Sequence, residues 1–307
     1  MQSLVKYALP YCLSLAAFGT VLLFTSYGTS SQSALAAKIP AGVATFQTVR
    51  AIKMPSSLDF CGETVPLDNF DARERFDREL HDNAYKYGSL LMVLKLSNRI
   101  FPIIEPILAE QGVPQDFKYL AVAESALRDA TSPAGAKGIW QFMPATAREF
   151  GLTVNDEIDE RFNLEKVTLA ACKYLKNANS RYNNWTLTAA SYNAGMGGVS
   201  NNLAGQNGHS YYDISMTEET NRYVFRILAF KEIMHDPEAY GFFLDADDRY
   251  QPIETSLAEV TGAENWGQFA EKYGTSFRVL KALNPWIMSN SFSNSARKTY
   301  LVKIPKR

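Results

Sequence analysis

Residues 117–144 read FKYLAVAESALRDATSPAGAKGIWQFMP, and the fold turns on this stretch. Pro114 stands near a helix start, where a missing N–H is harmless, and Asp116 adds an acid to the first turn. Phe117, Leu120, Ala121 and Glu124 then fall at i, i+3, i+4 and i+7, one face of a helix. Tyr119, Val122 and Ala123 make the other side apolar too, so the pattern predicts a buried helix with a carboxylate near its end. Burial disfavours the charged form and raises a glutamate pKa towards ~6, which suits a general acid at neutral pH. The structural alternative for Glu124 is an ion pair with Arg128, four residues on.

A turn-rich loop follows, Ser132-Pro133-Ala134-Gly135-Ala136-Lys137-Gly138, in which Pro fixes φ and Gly permits positive φ. It delivers Ile139, Trp140, Gln141, Phe142 and Met143 before Pro144 opens another helix, 145–150. Trp140, Gln141 and Met143 beside a carboxylate suit a sugar cleft, with an aromatic or thioether face for the ring and an amide for an N-acetyl group. Four motifs then stand in order: Glu124-Ser125, Gly138-x-x-Gln141-x-Met143, Ser191-Tyr192-Asn193-Ala194-Gly195, and Glu219-Thr220-x-x-Tyr223-Val224. Together they resemble the motifs of the lytic transglycosylase family, whose SLT domain is related to goose-type lysozyme. The resemblance covers roughly residues 63–307, and among the family's branches the membrane-bound type D is the most similar, because of the tail described below.

The resemblance implies a mainly α, lysozyme-like domain that cleaves the β-1,4 bond between N-acetylmuramic acid and N-acetylglucosamine in peptidoglycan. The product would be a 1,6-anhydromuramoyl end. It also implies that Glu124 is the sole acid and base, that Ser125, Gln141, Met143, Tyr192, Asn193, Glu219 and Tyr223 bind or orient the sugar, and that no metal or organic cofactor is needed. Two other readings stand beside it. A lysozyme-type muramidase would use the same glutamate with an activated water. A non-catalytic peptidoglycan-binding or scaffold protein is the other, and the intact Glu124, Gln141 and Tyr192-Asn193 speak against decay to that state.

Composition sets the frame for these readings. The 307 residues allow about two domains, and 46% hydrophobic with 21% charged residues is ordinary for a globular chain. The formal net charge is −1; without residues 1–36, whose one charge is Lys6, 30 basic residues face 32 acidic ones. No basic stripe calls for nucleic acid. The three His, at 81, 209 and 235, are scattered without the i, i+4 pairing of a metal site. Asp245, Asp247 and Asp248 fail as a calcium loop, since Tyr250 and Ser256 stand where Gly and Glu belong. Of three Cys, Cys12 lies in an apolar N-terminal run, and Cys61 and Cys172 are left either to pair or to stay as buried thiols.

Working outward, residues 1–36 carry an apolar run from Tyr7 to Phe24 and end in Ala34-Leu35-Ala36, which predicts a signal peptide or N-terminal anchor and an exported, envelope (periplasmic) protein, the anchor being its link to the membrane. Residues 37–70, with Pro40, Pro55 and Pro66, read as a linker or strap. Residues 71–240 hold the catalytic domain with its N-terminal packing helices, in which Glu74, Asp77 and Glu79 read as solvated charges. Asp159-Glu160-Arg161 reads as a surface turn with an ion pair rather than a second catalytic carboxylate pair, and Trp185 to Tyr192 as a short helix ending in a Gly-rich corner. After a linker at 241–252, residues 253–307 resemble a LysM repeat, a small βααβ module that binds N-acetylglucosamine chains. The resemblance runs through Trp266, Phe269, Tyr273, Leu280 and Asn284, but Ala263-Glu264-Asn265 replaces the usual Gly-Asp-Thr turn, so the module is degenerate. Every catalytic motif precedes Tyr240, and the tail is therefore expected to be separable from catalysis.

Overall fold

Helices start where the sequence supplies a cap. The computed structural model describes residues 51–295 and 297–306, and within them seven α-helices precede residue 236. Helix α1 (Phe70–Ala84) begins at Asn69, whose side chain accepts from the N–H groups of Asp71 and Ala72. Its stripe of Ala72, Phe76, Leu80 and Ala84 is buried, and the helix packs against α7 (Glu218–His235), which Thr217 caps. Between them run α2 (Tyr87–Glu110), α3 (Phe117–Ser125), α4 (Pro144–Glu149), α5 (Leu164–Tyr182) and α6 (Trp185–Gln206). Asn163 caps α5 and Asn184 caps α6, each with its side-chain oxygen. The predicted short helix from Trp185 does not stop at Tyr192: α6 breaks at Gly195, where φ is 74° and ψ 149°, and resumes. That left-handed φ is where glycine is required.

The strap is part of the core. A hairpin of β1 (Asp59–Phe60) and β2 (Glu63–Thr64) pairs Asp59 with Thr64, and Leu58, Phe60, Val65 and Leu67 are buried in the main core. Phe60 meets Phe117 edge-on at 5.3 Å. Glu63 reaches across to the start of α6, accepting from the Trp185 and Thr186 N–H groups and from the Thr186 hydroxyl. Cys61 and Cys172 are free thiols.

Two groups of charges turn out buried. Glu79, expected on a solvated face, is 1% exposed and lies between Arg222 and Arg226 of α7, because the α1–α7 contact closes over it. Asp159, Glu160 and Arg161 are likewise buried rather than on a surface turn. The reason is the tail. It runs β3 (Thr255–Val260), β4 (Glu264–Asn265), α8 (Trp266–Lys272), α9 (Phe277–Leu283), β5 (Ser291–Phe292) and β6 (Tyr300–Pro305), with β3 antiparallel to β6 and β4 to β5. Its core of Trp266, Phe269, Leu280, Trp286, Ile287, Phe292, Tyr300 and Val302 also takes in Ile158, from the loop before α5. The segment joining the tail to α7 is held on α2, where the Tyr250 N–H donates to the Lys95 carbonyl and Asn98 donates to the Tyr250 carbonyl. The fold is thus mainly α with a small α+β C-terminal part, as expected. Residues 1–36, predicted as signal or anchor, lie outside the described residues, as does the start of the strap; no described helix is long and apolar enough to cross a membrane.

Candidate active site

Glu124 is the next-to-last residue of α3, and the helix stops there because Ala126 and Leu127 both take left-handed backbone angles, φ 52° and 58°. The chain turns sharply enough for the following loop to fold back on the same helix end. Ser125 makes that return fast: its buried hydroxyl donates to the carbonyls of Ala121 and, at 2.9 Å, Ile139. Arg128 is exposed, and the partner of Glu124 is instead Tyr223 of α7, whose hydroxyl donates to Oε1. Burial pushes the Glu124 carboxyl up; the Tyr223 hydrogen bond and the Arg226 charge pull it down, and Glu219 raises it further, leaving it at about 7. Arg226 is itself engaged by Glu219 at 2.8 Å and by Glu79.

The loop is held at each motif position. Gly138 has φ 78°, and a Cβ there would lie 1.9 Å from the Arg161 carbonyl oxygen, so no other residue fits. Gln141, at φ 50°, donates its amide nitrogen to the carbonyls of Ala130 and Gly138, and its carbonyl oxygen has no hydrogen bond among the described residues. Met143 is 42% exposed. Trp140, expected to face a sugar, is fully buried, with its indole N–H on the Thr168 hydroxyl; its size and apolarity fill the core. Tyr192 donates to the Trp140 carbonyl at 2.7 Å and packs edge-on against Tyr174 and Phe142. Asn193 is exposed and accepts from the Thr220 hydroxyl at 2.7 Å, so α7 orients both Glu124 and Asn193.

The structure therefore brings Glu124, Tyr223, Asn193 and the Gln141 loop together. Ser125 and Tyr223 sit beneath the site as supports, and Glu219 is exposed and bound to Arg226. Arg226 was not singled out in the sequence, and Thr220, quoted there within a motif, was given no role. Their spacing from Tyr223, three residues either way, puts all three on one face of α7 and is the signal that finds them. Asp159 and Glu160 are consumed by Arg161 and Lys166. No group of three or more potential metal ligands occurs among the described residues. A cavity of about 370 Å³ lies between α2, residues 162–165 and the tail, with Asp129 and Ile139 also in its wall and Glu124 not among its lining residues. What the Glu124 arrangement offers is one carboxyl that holds a proton near neutral pH and can release it.

A family model described as the transglycosylase SLT domain matches residues 101–214, and one described as the soluble lytic transglycosylase C-terminal LysM-like domain matches residues 258–307. The chain is 28% identical over 257 residues to the membrane-bound lytic murein transglycosylase D of Escherichia coli K12, covering 81% of this chain and 55% of that protein. The protein of the same name from Escherichia coli O6:H1 gives the same figures. The chain spans about half the length of these curated relatives. Among solved structures, the lytic transglycosylase Slt of Pseudomonas aeruginosa, in an inactive mutant form, is 25% identical at a TM-score of 0.39, over 51% of this chain and 28% of that one.

Proposed function

We propose that this chain, whose residues 101–214 match the SLT transglycosylase domain and 258–307 a LysM-like domain, is a peptidoglycan lytic transglycosylase. It acts on the bond between N-acetylmuramic acid and N-acetylglucosamine. Protonated Glu124 gives its proton to the glycosidic oxygen as the bond to the muramoyl C1 breaks. The N-acetyl carbonyl of the same sugar stabilises the cation that develops at C1. Glu124, now a carboxylate, takes the proton of the C6 hydroxyl, and O6 closes on C1 to give the 1,6-anhydro ring. The acid is restored, and no water is consumed. In this reading Tyr223 favours the carboxylate that exists between the two proton transfers, while Asn193 and the Gln141 carbonyl oxygen hold the N-acetyl sugar.

The observation that carries this reading is Glu124 itself, a carboxyl raised to about 7 whose bonded partner is the neutral Tyr223 hydroxyl. A relative named a membrane-bound lytic murein transglycosylase supports placing the chain at the cell envelope, with glycan strands as its partner. Digestion of purified sacculi followed by mass spectrometry of the muropeptides tests it. Anhydromuramoyl ends are expected; reducing ends would make the chain a muramidase, and undigested sacculi a binding protein.

A further inference from the structure

We propose that the C-terminal module is a working part of the active site: docked on residues 157–159, it holds the Gly135–Phe142 loop in place through Arg161, a positioning residue. The module grips the loop before α5 by its backbone. Ile158 and Ile287 form an antiparallel bridge, the Asp159 N–H donates to the Trp286 carbonyl at 2.9 Å, and the Met288 N–H donates to the Glu157 carbonyl at 2.9 Å. Ser293 adds its N–H and hydroxyl to the Glu157 carboxylate.

Immediately behind this contact, the Asp159 carboxylate binds the Arg161 guanidinium in a two-pronged pair, 2.9 and 2.7 Å, both side chains buried. The guanidinium nitrogen left over donates to the carbonyls of Gly135, at 2.9 Å, and Phe142, at 3.1 Å, which are the two ends of the loop. The Arg161 carbonyl lies where a Gly138 side chain would be. Between those ends stand Ile139 and Trp140, whose carbonyls are gripped by Ser125 beside Glu124 and by Tyr192. One continuous set of bonds therefore runs from Trp286 to the residue next to Glu124. Only arginine has the fork to satisfy a carboxylate and two carbonyls at once.

The proposal rests on the assignment of Glu124 to sugar cleavage, and the test separates the two. Arg161→Lys keeps the charge and loses the fork; Ile287→Glu attacks the docking from the module side. In the full chain, each should lower kcat on glycan strands about 100-fold, the scale of an ångström's misplacement, with KM changed less than threefold. The double variant should be no worse than the worse single, because both act along one path. Hydrogen exchange of the Lys137 and Gly138 amides, bonded to Phe142 and Ala130, should speed up at least tenfold in both variants. Should Ile287→Glu not fold, Glu157→Ala replaces it. Unchanged kcat and unchanged exchange in folded variants, or effects that multiply in the double, would overturn the proposal. Inactive wild-type protein with accelerated exchange in the variants would sink the cleavage reading and leave the coupling standing.

Discussion

Glu124 and Asp159 are both taken out of water, and they end in opposite states. For each, burial pushes the carboxyl pKa up. At Asp159 the hydrogen bonds and charge of Arg161, with Lys137 behind, outweigh burial and hold the group below the ordinary carboxylate range. At Glu124 the bonded partner is a neutral phenol, the nearest cation is shared with Glu219 and Glu79, and the carboxyl stays at about 7. Burial alone does not make a general acid; burial with a partner too weak to cancel it does. The two sites divide the labour, one carboxyl kept able to change state and the other fixed in one.

The largest expected effect tests the first half of that contrast. Glu124→Gln keeps shape and the Tyr223 contact but has no proton to transfer. Since one residue serves both half-reactions, turnover of glycan strands should fall by ~10⁴-fold or more, while retention on the strands persists. Near-normal turnover would end the one-carboxylate mechanism.

Asp159→Asn tests the second half. It strands a buried guanidinium, and loss of one partner of a buried pair costs about 3–5 kcal/mol. Denaturant unfolding at pH 7 should show this. Because the folded-state pKa is depressed, the stabilisation is present above the ordinary carboxylate value of 3.8 and is lost as pH falls through the folded value, so the deficit should shrink in acid. An unchanged midpoint at pH 7 would return Asp159 to the surface role its sequence suggested.

Tyr223→Phe sharpens the contrast by removing the one hydrogen bond that favours the Glu124 carboxylate. Wild-type activity should fall as pH rises through about 7, when Glu124 loses its proton. In the variant that limb should move to higher pH, with turnover down about tenfold, in keeping with the ~1.5–3 kcal/mol of a hydrogen bond to a charged group. A limb that stays put would mean the phenol does not tune Glu124.

The smallest effect is one of stability. The Glu124 pKa is raised from 4.5 to about 7, so the folded state is penalised for ionising it, fully above pH 7 and not at all below about 4.5. Glu124→Gln lifts that penalty and should be more stable than wild type above pH 7 by about 2 kcal/mol, the ~3.4 kcal/mol of the full shift discounted for the partial exposure of Glu124, with no gain at pH 4. A gain equal at both values would trace to something other than the proton.

The half of the site that was legible in the sequence is the half made by neighbours. The periodicity of 117–124 places Glu124 on a buried helix end, and the turn residues before Gly138 mark the loop, because both are settled within a few residues. Tyr223 as the partner of Glu124 was not legible, since that contact joins α3 to α7 across 99 residues. The Asp159-Glu160-Arg161 triplet looks like any polar turn until the tail covers it. Trp140 was misjudged for the opposite reason: a tryptophan near a carboxylate is as good a core filler as a sugar platform, and only packing decides.

The hairpin carboxylate of Glu63 has a consequence for how the chain folds. It satisfies the first N–H groups of α6, 122 and 123 residues further on, and α6 is the helix that carries Tyr192 and Asn193. Helices of this length form in well under a millisecond, whereas closures over so long a span are among the slow steps of folding. The site therefore reaches working order only once the beginning of the described chain has met its middle.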